Sequence, residues 1–460
     1  MNLYEDGLLT IDLSKSKLDY NLTIAPPTIQ DIPLDKESLY LFSLDNPKKF
    51  NFISSTLSRW PIVTASDVSA IVDYLAQGRN LSIVDPTMGI FGELIEKFKS
   101  TLGLTRKYGI AFNCATNALN AAYRACGLKR GDIVAGAGYT YHATVTPTLE
   151  LGANLILMDA SPEDGNVTLN VIKDTIQSFP TTKIVAVNHN WGIPIREIEV
   201  ITAYLFERGI KIIEDCSHAH GAKLNNQPVG SFGDISIFSL QANKTLTAGE
   251  GGLCFTDDPK LKNLLLLVGH EDTRESTYST FVNPSIRQTG IHGFQFRMHP
   301  IAAALAVSQL NRFHEVLNNR QENYEYLRKC LECVPYIHFP QLPSHIISNN
   351  YSIRAAYNSH ANGGVDIHSF VAYLKNFGVP VTVDSSGPLA RKAVYQQHWA
   401  EYGSQALPGR QLFTAQQFPG INAYCKDRLV FPVFSRSHSL VKGIIDVIAA
   451  HIINFKRAPA

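Results

Sequence analysis

Two residues at the ends of strand-like segments have the chemical types needed to act on a carbonyl carbon. Asp215 ends the apolar run Lys211–Asp215, and Lys244 follows a later apolar run and precedes the glycine-rich stretch 249–252. A lysine in a partly apolar site loses its proton and becomes an amine nucleophile, and a buried carboxylate needs a positive partner. Taken singly, the acid is more typical of a helix cap and the lysine of a solvated surface.

Two further segments after strands have the features of a binding site for a flat, phosphorylated ligand. At residues 113–123 a turn of small residues opens an alanine-rich helix, whose free N–H groups and the Thr116 hydroxyl would bind phosphate, with Ser239 adding a second hydroxyl. Tyr141 offers a ring for stacking. Plain helix capping and a core aromatic are the alternatives. Together with Lys244 and Asp215, the set predicts a site for pyridoxal 5′-phosphate (PLP).

Apolar runs of strand length alternate with helical patterns from about residue 61 to about residue 310. The runs are Tyr108–Phe112, Ile133–Ala135, Leu155–Met158, Lys183–Val187, Lys211–Ile213 and Ile235–Ser239. The helical patterns are Asp67–Gln77, Gly92–Leu102, Ala115–Cys126, Val171–Phe179 and Ile195–Arg208. This alternation predicts an α/β fold with a mostly parallel sheet between helices, and such sheets bind ligands beyond the carboxyl ends of their strands.

The pattern changes on either side of this region, which predicts three parts. Residues 1–60 form an N-terminal extension of unknown role, residues 61–312 a large PLP-binding α/β domain, and residues 313–460 a small C-terminal α+β domain. A long helical pattern at Arg312–Cys330 leads into the third part, and a helix at Val441–Ile453 closes it.

Composition excludes several classes of protein. With 41 Lys+Arg against 40 Asp+Glu, the chain has no basic excess for general nucleic-acid binding. A hydrophobic content of 45% excludes a disordered chain. The seven cysteines are thinly spread, and the sequence has neither a long apolar stretch nor a signal-peptide pattern, so we expect a cytoplasmic protein without a membrane span.

We expect no metal site. The pair Cys330 and Cys333 has a metal-like spacing, but neither a second such pair nor a nearby histidine pair accompanies it. His218 and His220 could likewise form a ligand pair, but no third ligand stands in register with them.

The motifs as a set resemble the DegT/DnrJ/EryC1/StrS family of PLP-dependent sugar and cyclitol aminotransferases, which has the type I aminotransferase fold. The resemblance covers about residues 65–460 and is closest between 108 and 312. The matching segments are 114–119 (CATNAL), 137–144 (AGYTYHAT), 188–194 (NHNWGIP), 214–222 (EDCSHAHGA), 239–252 (SLQANKTLTAGEGG) and 293–298 (GFQFRM).

By this resemblance, Lys244 and Asp215 are the catalytic residues. Lys244 would form the Schiff base with the cofactor and shuttle a proton, and Asp215 would keep the pyridine nitrogen protonated. Tyr141 would stack on the ring and His218 would lie against it or near its 3-hydroxyl. The implied cofactor-binding residues are Ala115, Thr116, the backbone of Asn117, Tyr141, His189, Asp215, His218, Ser239, Gln241, Lys244 and Gln295.

The family usually works as a homodimer with shared sites, so Gln295 and Arg297 would reach the site of the partner subunit. Candidate substrate residues are Ser82, Arg297, Arg274 and Arg287, the last two in a long segment, 271–292, that either covers the substrate or is a plain surface loop.

Three departures from the family pattern bear on the substrate. Gln241 stands where a histidine is usual, Gln295 where an asparagine is usual, and Ala115 replaces a glycine of the phosphate turn. Retention of Lys244 disfavours the sugar dehydratases of the family, and Gln241 with the segment 214–222 is similar to members that act on cyclitols.

The resemblance implies transfer of an amino group from glutamate or glutamine to a keto-sugar or keto-cyclitol, in amino-sugar or natural-product biosynthesis. Two alternatives stay open. One is a PLP enzyme of the same fold that catalyses elimination or oxidative deamination or decarboxylation. The other is a non-catalytic PLP-binding regulatory protein, which intact Lys244, Asp215 and Thr116 disfavour.

Overall fold

A seven-stranded sheet forms the centre of the larger part of the molecule. The computed structural model describes residues 36–83, 85–270, 294–396, 413–437 and 439–455. The strands are β1 Tyr108–Phe112, β2 Ile133–Ala137, β3 Asn154–Met158, β4 Thr182–Asn188, β5 Lys211–Asp215, β6 Lys223–Leu224, β7 Gln227–Pro228, β8 Ile235–Ser239, β9 Gly252–Thr256, β10 Ile337–His338, β11 Ile346–Ile347, β12 Ile353–Tyr357, β13 Thr382–Val383 and β14 Arg428–Phe431.

The order of the strands brings the predicted site residues to one edge. The central sheet runs β1-β9-β8-β5-β4-β2-β3, and all neighbours are parallel except that β9 is antiparallel to both β1 and β8. In this register Asn188 of β4 lies beside Asp215 of β5, at the carboxyl ends of both strands. The prediction of a mostly parallel sheet is confirmed, whereas β9 was absent from the predicted strands.

Helices cover both faces of the sheet. They are α1 Lys36–Asp45, α2 Pro47–Leu57, α3 Ala65–Ala76, α4 Ile90–Leu102, α5 Ala115–Ala125, α6 Thr146–Glu150, α7 Leu169–Ser178, α8 Ile198–Phe206, α9 Pro259–Leu266, α10 Pro300–Leu310, α11 Phe313–Cys330, α12 Ile367–Asn376, α13 Ala393–Gln396, α14 Pro419–Cys425 and α15 Ser439–Ile453. The predicted helical patterns lie within these bounds to a few residues. None of the helices in the described ranges is both long and apolar enough to cross a bilayer.

Neighbouring residues of β5 show how the sheet is buried. Ile213 packs in one apolar cluster with α5, and Ile212 packs in another with Ile198 and Leu205 of α8. Successive side chains of a strand point to opposite faces, so both faces are covered. This double burial explains why the strands appear in the sequence as continuous apolar runs.

The C-terminal part has a core of its own, to which the first two described helices also belong. Leu39 of α1 and Phe50 of α2 are buried in one cluster with Leu429 of β14 and with Ile444 and Ile448 of α15. Residues 36–57 therefore pack on the C-terminal part. The predicted boundaries 1–60, 61–312 and 313–460 stay predictions.

A buried ion pair ties α3 to the start of α11. Asp67 is fully buried and accepts hydrogen bonds from the Thr64 backbone N–H at 2.8 Å and from Arg312 Nη1 at 2.9 Å. Arg312 Nη2 also donates to the carbonyl oxygen of Ile62 at 2.8 Å. Burial raises the pKa of Asp67, but the Arg312 hydrogen bond and the cap outweigh it and the pKa is lowered.

We expect the Asp67→Ala substitution to lower the free energy of unfolding by about 3 kcal/mol, because it leaves the Arg312 guanidinium without its buried partner. Urea denaturation measures this loss. The matched control is Asp73→Ala, since Asp73 is an exposed acid on the same helix, and we expect it to change stability by about 0.5 kcal/mol or less. Equal effects of the two substitutions would contradict this account.

Candidate active site

A cleft of about 780 Å³ opens at the carboxyl ends of the parallel strands. It brings together nine of the eleven predicted cofactor-binding residues. These are Ala115, Thr116, Tyr141, His189, Asp215, His218, Ser239, Gln241 and Lys244. Asn117 and Gln295 are not among the lining residues of the described chain.

Lys244 lies in the loop between β8 and β9, with its side chain in the cleft. Its Nζ is 5.2 Å from the centre of the Tyr351 ring. Burial lowers the pKa of Lys244 to about 8, and the charge of Asp215 acts in the opposite direction. The loop is held from the back by Trp60, whose Nε1 donates to the Lys244 carbonyl oxygen at 2.6 Å. A lysine so placed has an amine available for covalent chemistry near neutral pH.

Asp215 ends β5 and is fixed by two hydrogen bonds. The Thr144 hydroxyl donates to Oδ2 at 2.7 Å, and the Ser217 backbone N–H donates to Oδ1 at 3.0 Å. A hydroxyl contact of 2.6 Å joins Thr144 to Thr140. The carboxylate is 6% exposed, so it is buried yet lines the cleft. Its orientation is therefore set before any ligand binds.

The start of α5, where the phosphate cradle is predicted, lies at the cleft. Cys114 caps the helix by accepting the Asn117 N–H at 3.5 Å, while Thr116 is exposed to the cleft. The turn lies against Gly252 so closely that a Cβ there would stand 2.7 Å from the backbone nitrogen of Ala115. Glycine at position 252 is thus required by the approach of two backbones. The Asn117 side chain donates to Asn113 instead of facing the cleft.

Aromatic rings stack beside Lys244. The His218 ring lies 4.4 Å from the Tyr351 ring and 5.2 Å from the Trp191 ring, nearly parallel to both. The guanidinium of Arg354 lies 3.4 Å from the centre of the Trp191 ring. Burial holds the pKa of His218 well below its usual value, and the nearby charge of Lys244 lowers it further. His218 is therefore neutral at physiological pH.

The remaining ring, that of Tyr141, is 62% exposed and packs on His142, with 4.3 Å between ring centres. It stands at the rim of the cleft, where a ligand would cover it. Its prediction as a stacking partner stays a prediction.

His189 is a buried support of the floor of the cleft. Its Nε2 lies 3.0 Å from Glu214 Oε1, and its Nδ1 accepts the Ile195 N–H at 3.0 Å. Burial raises the pKa of Glu214, but the His189 hydrogen bond and charge outweigh it and bring the pKa down to about 2. Both ring nitrogens of His189 are used in this way, so only a ring face is left for a cofactor.

His189 and Glu214 also belong to a group of residues whose ligand atoms are close enough to hold a metal ion. His189, Glu214 and Cys216 have their ligand atoms within 4.8 Å of one another. Glu214, however, already accepts the backbone N–H groups of Gly230, Phe232 and Gly233. Burial raises the pKa of the Cys216 thiol, which keeps it protonated. The cluster is a hydrogen-bonded support.

The two histidines considered as a ligand pair take separate positions. His218 stacks in the cleft as described, whereas His220 is fully buried near the rings of Phe98 and Phe238.

The other predicted residues lie at the edge of the cleft or beyond it. The Gln241 side-chain oxygen accepts the Asn243 N–H at 2.9 Å and so shapes the Lys244 loop. Gln295 Oε1 accepts from Arg297 Nε at 2.8 Å on an outer surface, and neither residue lines the cleft of its own chain. Ser82 is exposed and also outside the lining. Arg274 and Arg287 lie outside the described residues.

Sequence reasoning missed a segment of the C-terminal part that reaches the cleft. The rim includes Ser385, Ser386, Gly387, Pro388, Leu389, Arg391 and Lys392. The Ser386 hydroxyl lies 2.6 Å from the Tyr139 hydroxyl, and the Leu389 N–H donates to the Gly138 carbonyl oxygen at 2.8 Å. The turn-like sequence Asp-Ser-Ser-Gly-Pro at 384–388 marks a loop, but nothing in it indicates what the loop contacts.

Comparison with known proteins agrees with this geometry. The DegT/DnrJ/EryC1/StrS aminotransferase family profile matches residues 85–417, and the chain belongs to this family. The predicted family is thereby confirmed. The chain is 29% identical over 249 residues to GDP-perosamine synthase of Escherichia coli O157:H7, a match that covers 54% of this chain and 65% of the relative.

A second relative is a putative L-glutamine:3-amino-2,3-dideoxy-scyllo-inosose aminotransferase of Micromonospora echinospora, 27% identical, with 59% of this chain and 62% of the relative covered. The chain thus spans less than two thirds of the length of these curated relatives. Among solved structures, an aminotransferase from Psychrobacter cryohalolentis superposes with a TM-score of 0.71 at 22% identity, covering 86% of this chain and 98% of that chain. This likeness confirms the predicted fold.

The residues of the cleft fit the PLP of this family. They supply an amine with a lowered pKa, a fixed carboxylate, and a helix start with hydroxyls from Thr116 and Ser239. The packing of Gly252 against the turn also agrees with this fit. The turn keeps its position at the cleft only because residue 252 has no side chain.

We expect Gly252→Ala to weaken PLP binding by about tenfold or more, because its Cβ would displace the backbone of the phosphate turn. Fluorescence titration of the cofactor-free protein measures the affinity. Gly103→Ala is the control. The added Cβ meets no atom within 4 Å, and the backbone strain from the φ of 74° at this position lies outside the lining of the cleft. Equal affinities for Gly252→Ala and the unaltered protein would refute the cradle.

Proposed function

We propose that this protein is a PLP-dependent aminotransferase that moves an amino group from glutamate or glutamine to a keto-sugar or keto-cyclitol. One observation carries the proposal. Lys244, with a pKa of about 8, and Asp215, held by Thr144 and Ser217, both face one cleft of about 780 Å³. An aminotransferase needs this amine and this acid together, the first to bind the cofactor and the second to keep its ring nitrogen protonated.

Each residue has a defined task in the proposed reaction. Bound PLP supplies an electron sink for the substrate carbon that carries the amino group. The Lys244 Nζ binds the cofactor and, when free, takes up and returns a proton. Asp215 supplies the negative charge that keeps the pyridine nitrogen protonated. Thr116 and Ser239 would bind the phosphate, and neutral His218, whose ring stacks on Trp191 and Tyr351, would present a nitrogen beside the cofactor.

A polyhydroxylated ring ketone suits the polar rim of the cleft. Ser385 and Ser386 bring hydroxyls, and Arg391 and Lys392 bring positive charge. The names of two relatives, a GDP-perosamine synthase and a scyllo-inosose aminotransferase, point to a sugar or a cyclitol. Gln241, together with the segment 214–222, is similar to the members of the family that act on cyclitols, as described above.

The proposal includes a cytoplasmic homodimer. Gln295 and Arg297 are joined to each other on an outer surface, away from the cleft of their own chain. This position supports their predicted role at the site of a partner subunit.

We expect Lys244→Ala to lower turnover with glutamate and a panel of keto-cyclitols and nucleotide-linked keto-sugars by about 10²- to 10⁴-fold, the usual effect of losing a positioned proton carrier. The variant would also lose the colour of the bound cofactor. The control is Lys107→Ala, an exposed lysine outside the cleft. Normal turnover by Lys244→Ala would overturn the proposal.

Single-turnover spectroscopy separates the proposed reaction from the alternatives. With glutamate alone, an aminotransferase accumulates the amine form of the cofactor. A lyase releases product and keeps the aldehyde form, and a regulatory protein does neither. Either of these last results would contradict aminotransfer.

A further inference from the structure

A second cavity of about 280 Å³ adjoins the cleft on the side of the C-terminal part. We call it the side chamber. It is lined by Ser58, Trp60, Trp191, Asn243, Arg320, Tyr351, Ser352 and Val433. Trp191, Asn243 and Tyr351 also line the main cleft, so the two cavities are adjacent and share these side chains.

Arg320 is the charged group of the side chamber. It belongs to α11 and is only 4% exposed. Its Nε donates to the Ser435 hydroxyl at 2.8 Å and its Nη1 to the Thr245 hydroxyl at 2.9 Å. Its guanidinium lies 4.7 Å from the centre of the Trp60 ring. These contacts fix the plane of the guanidinium, and within the described ranges no residue accepts a hydrogen bond from Nη2.

The charge of Arg320 has no carboxylate partner among the residues that the structure describes. Three other buried or half-buried arginines do have one: Arg106 pairs with Asp257, Arg312 with Asp67, and Arg354 with Asp384. A fourth, Arg428, is buried and donates to the carbonyl oxygens of Tyr424 and Pro162. A buried cation without a counter-charge costs free energy. Burial accordingly lowers the pKa of Arg320, to about 10. A ligand anion in the side chamber would remove this cost.

Two contacts connect the side chamber with the loop that carries Lys244. Arg320 contacts Thr245, the residue that follows Lys244. The Tyr351 ring, which lines both cavities, lies 5.2 Å from Lys244 Nζ. A ligand held at both Lys244 and Arg320 would lie along the Tyr351 ring.

We propose that the side chamber binds a carboxylate group of the amino-acid donor, with Arg320 as its counter-charge. The inference rests on the proposed function, because the donor is an amino acid only if the protein is an aminotransferase. The planar guanidinium with a free Nη2 suits a carboxylate oxygen, and the Trp60 ring and the Ser435 hydroxyl hold it in place. The α-carboxylate and the side-chain carboxylate of glutamate share this chemistry.

The test uses glutarate, which has the carboxylates of glutamate without its amino group. Isothermal titration calorimetry on the holoenzyme measures its affinity. We expect Arg320→Gln to weaken glutarate binding about 10- to 100-fold, as for loss of a hydrogen bond to a charged group, and Arg320→Lys to weaken it less. The control is Arg328→Gln, on the same helix but half exposed and paired with Glu325.

A second variant covers the case in which Arg320→Gln does not fold. Ser352→Leu fills the side chamber and leaves Arg320 unchanged, and we expect it to weaken glutarate binding about tenfold or more. Unaltered glutarate affinity in Ser352→Leu, or in a folded Arg320→Gln, would overturn the proposal.

Kinetics of the two half-reactions separate a binding role from a structural one. We expect Arg320→Gln to raise the KM for the donor about 10-fold or more, while the amine form of the enzyme aminates the ring ketone at the normal rate. An equal rise for glutamate and glutamine identifies the α-carboxylate, and a rise for glutamate alone identifies the side-chain carboxylate. Equal losses in both half-reactions would mark Arg320 as structural and refute the proposal.

The outcome also separates this inference from the proposed function. If the unaltered protein transaminates glutamate but Arg320→Gln keeps the same donor KM, the inference fails and the function stands. If glutarate binding depends on Arg320 but no ketone is aminated, the function fails and the anion site stands.

Discussion

The site depends on the partial burial of one amine. Removing a lysine ammonium from water disfavours its charged form, and burial brings the pKa of Lys244 to about 8 although Asp215 acts in the opposite direction. The amine is thus a usable nucleophile only because the loop that carries it is held in the cleft. Trp60 holds the carbonyl oxygen of Lys244, and the Gln241 side chain accepts the Asn243 N–H within the same loop. Asp215, the acid of the proposed site, is fixed by Thr144 and by the turn after β5.

Distant parts of the chain meet at this cleft. The parallel strands contribute Asp215, Ser239 and the start of α5, while the C-terminal part contributes Tyr351 and the segment 385–392. The N-terminal helices α1 and α2 pack in the core of the C-terminal part, and Trp60 then reaches the Lys244 loop. The residues before 61, for which the sequence indicated no role, thus include a direct support of the Lys244 loop.

Local patterns explain why much of this could be predicted. A fully buried strand ending in an acid, and a small-residue turn opening a helix after a strand, are both visible in a dozen neighbouring residues, so Asp215 and Thr116 were found. Contacts between segments that are distant in the sequence produce no local pattern of this kind. The stack of Trp191, His218 and Tyr351, the pairing of strand β9 and the burial of Arg320 depend on the tertiary fold. His189 lines the cleft as predicted, but a motif match cannot reveal that both its ring nitrogens have protein partners.

The pH dependence of Lys244 reactivity tests the account most directly. Trace labelling of the cofactor-free protein with acetic anhydride, followed by mass spectrometry, gives the reactivity of this one amine as a function of pH. Half-maximal labelling is expected near pH 8. In Asp215→Asn it is expected at a lower pH, because the carboxylate favours the protonated amine. Half-maximal labelling near pH 10.4, which is about the pKa of an unperturbed lysine, would contradict the account. An unchanged labelling profile in Asp215→Asn would contradict it as well.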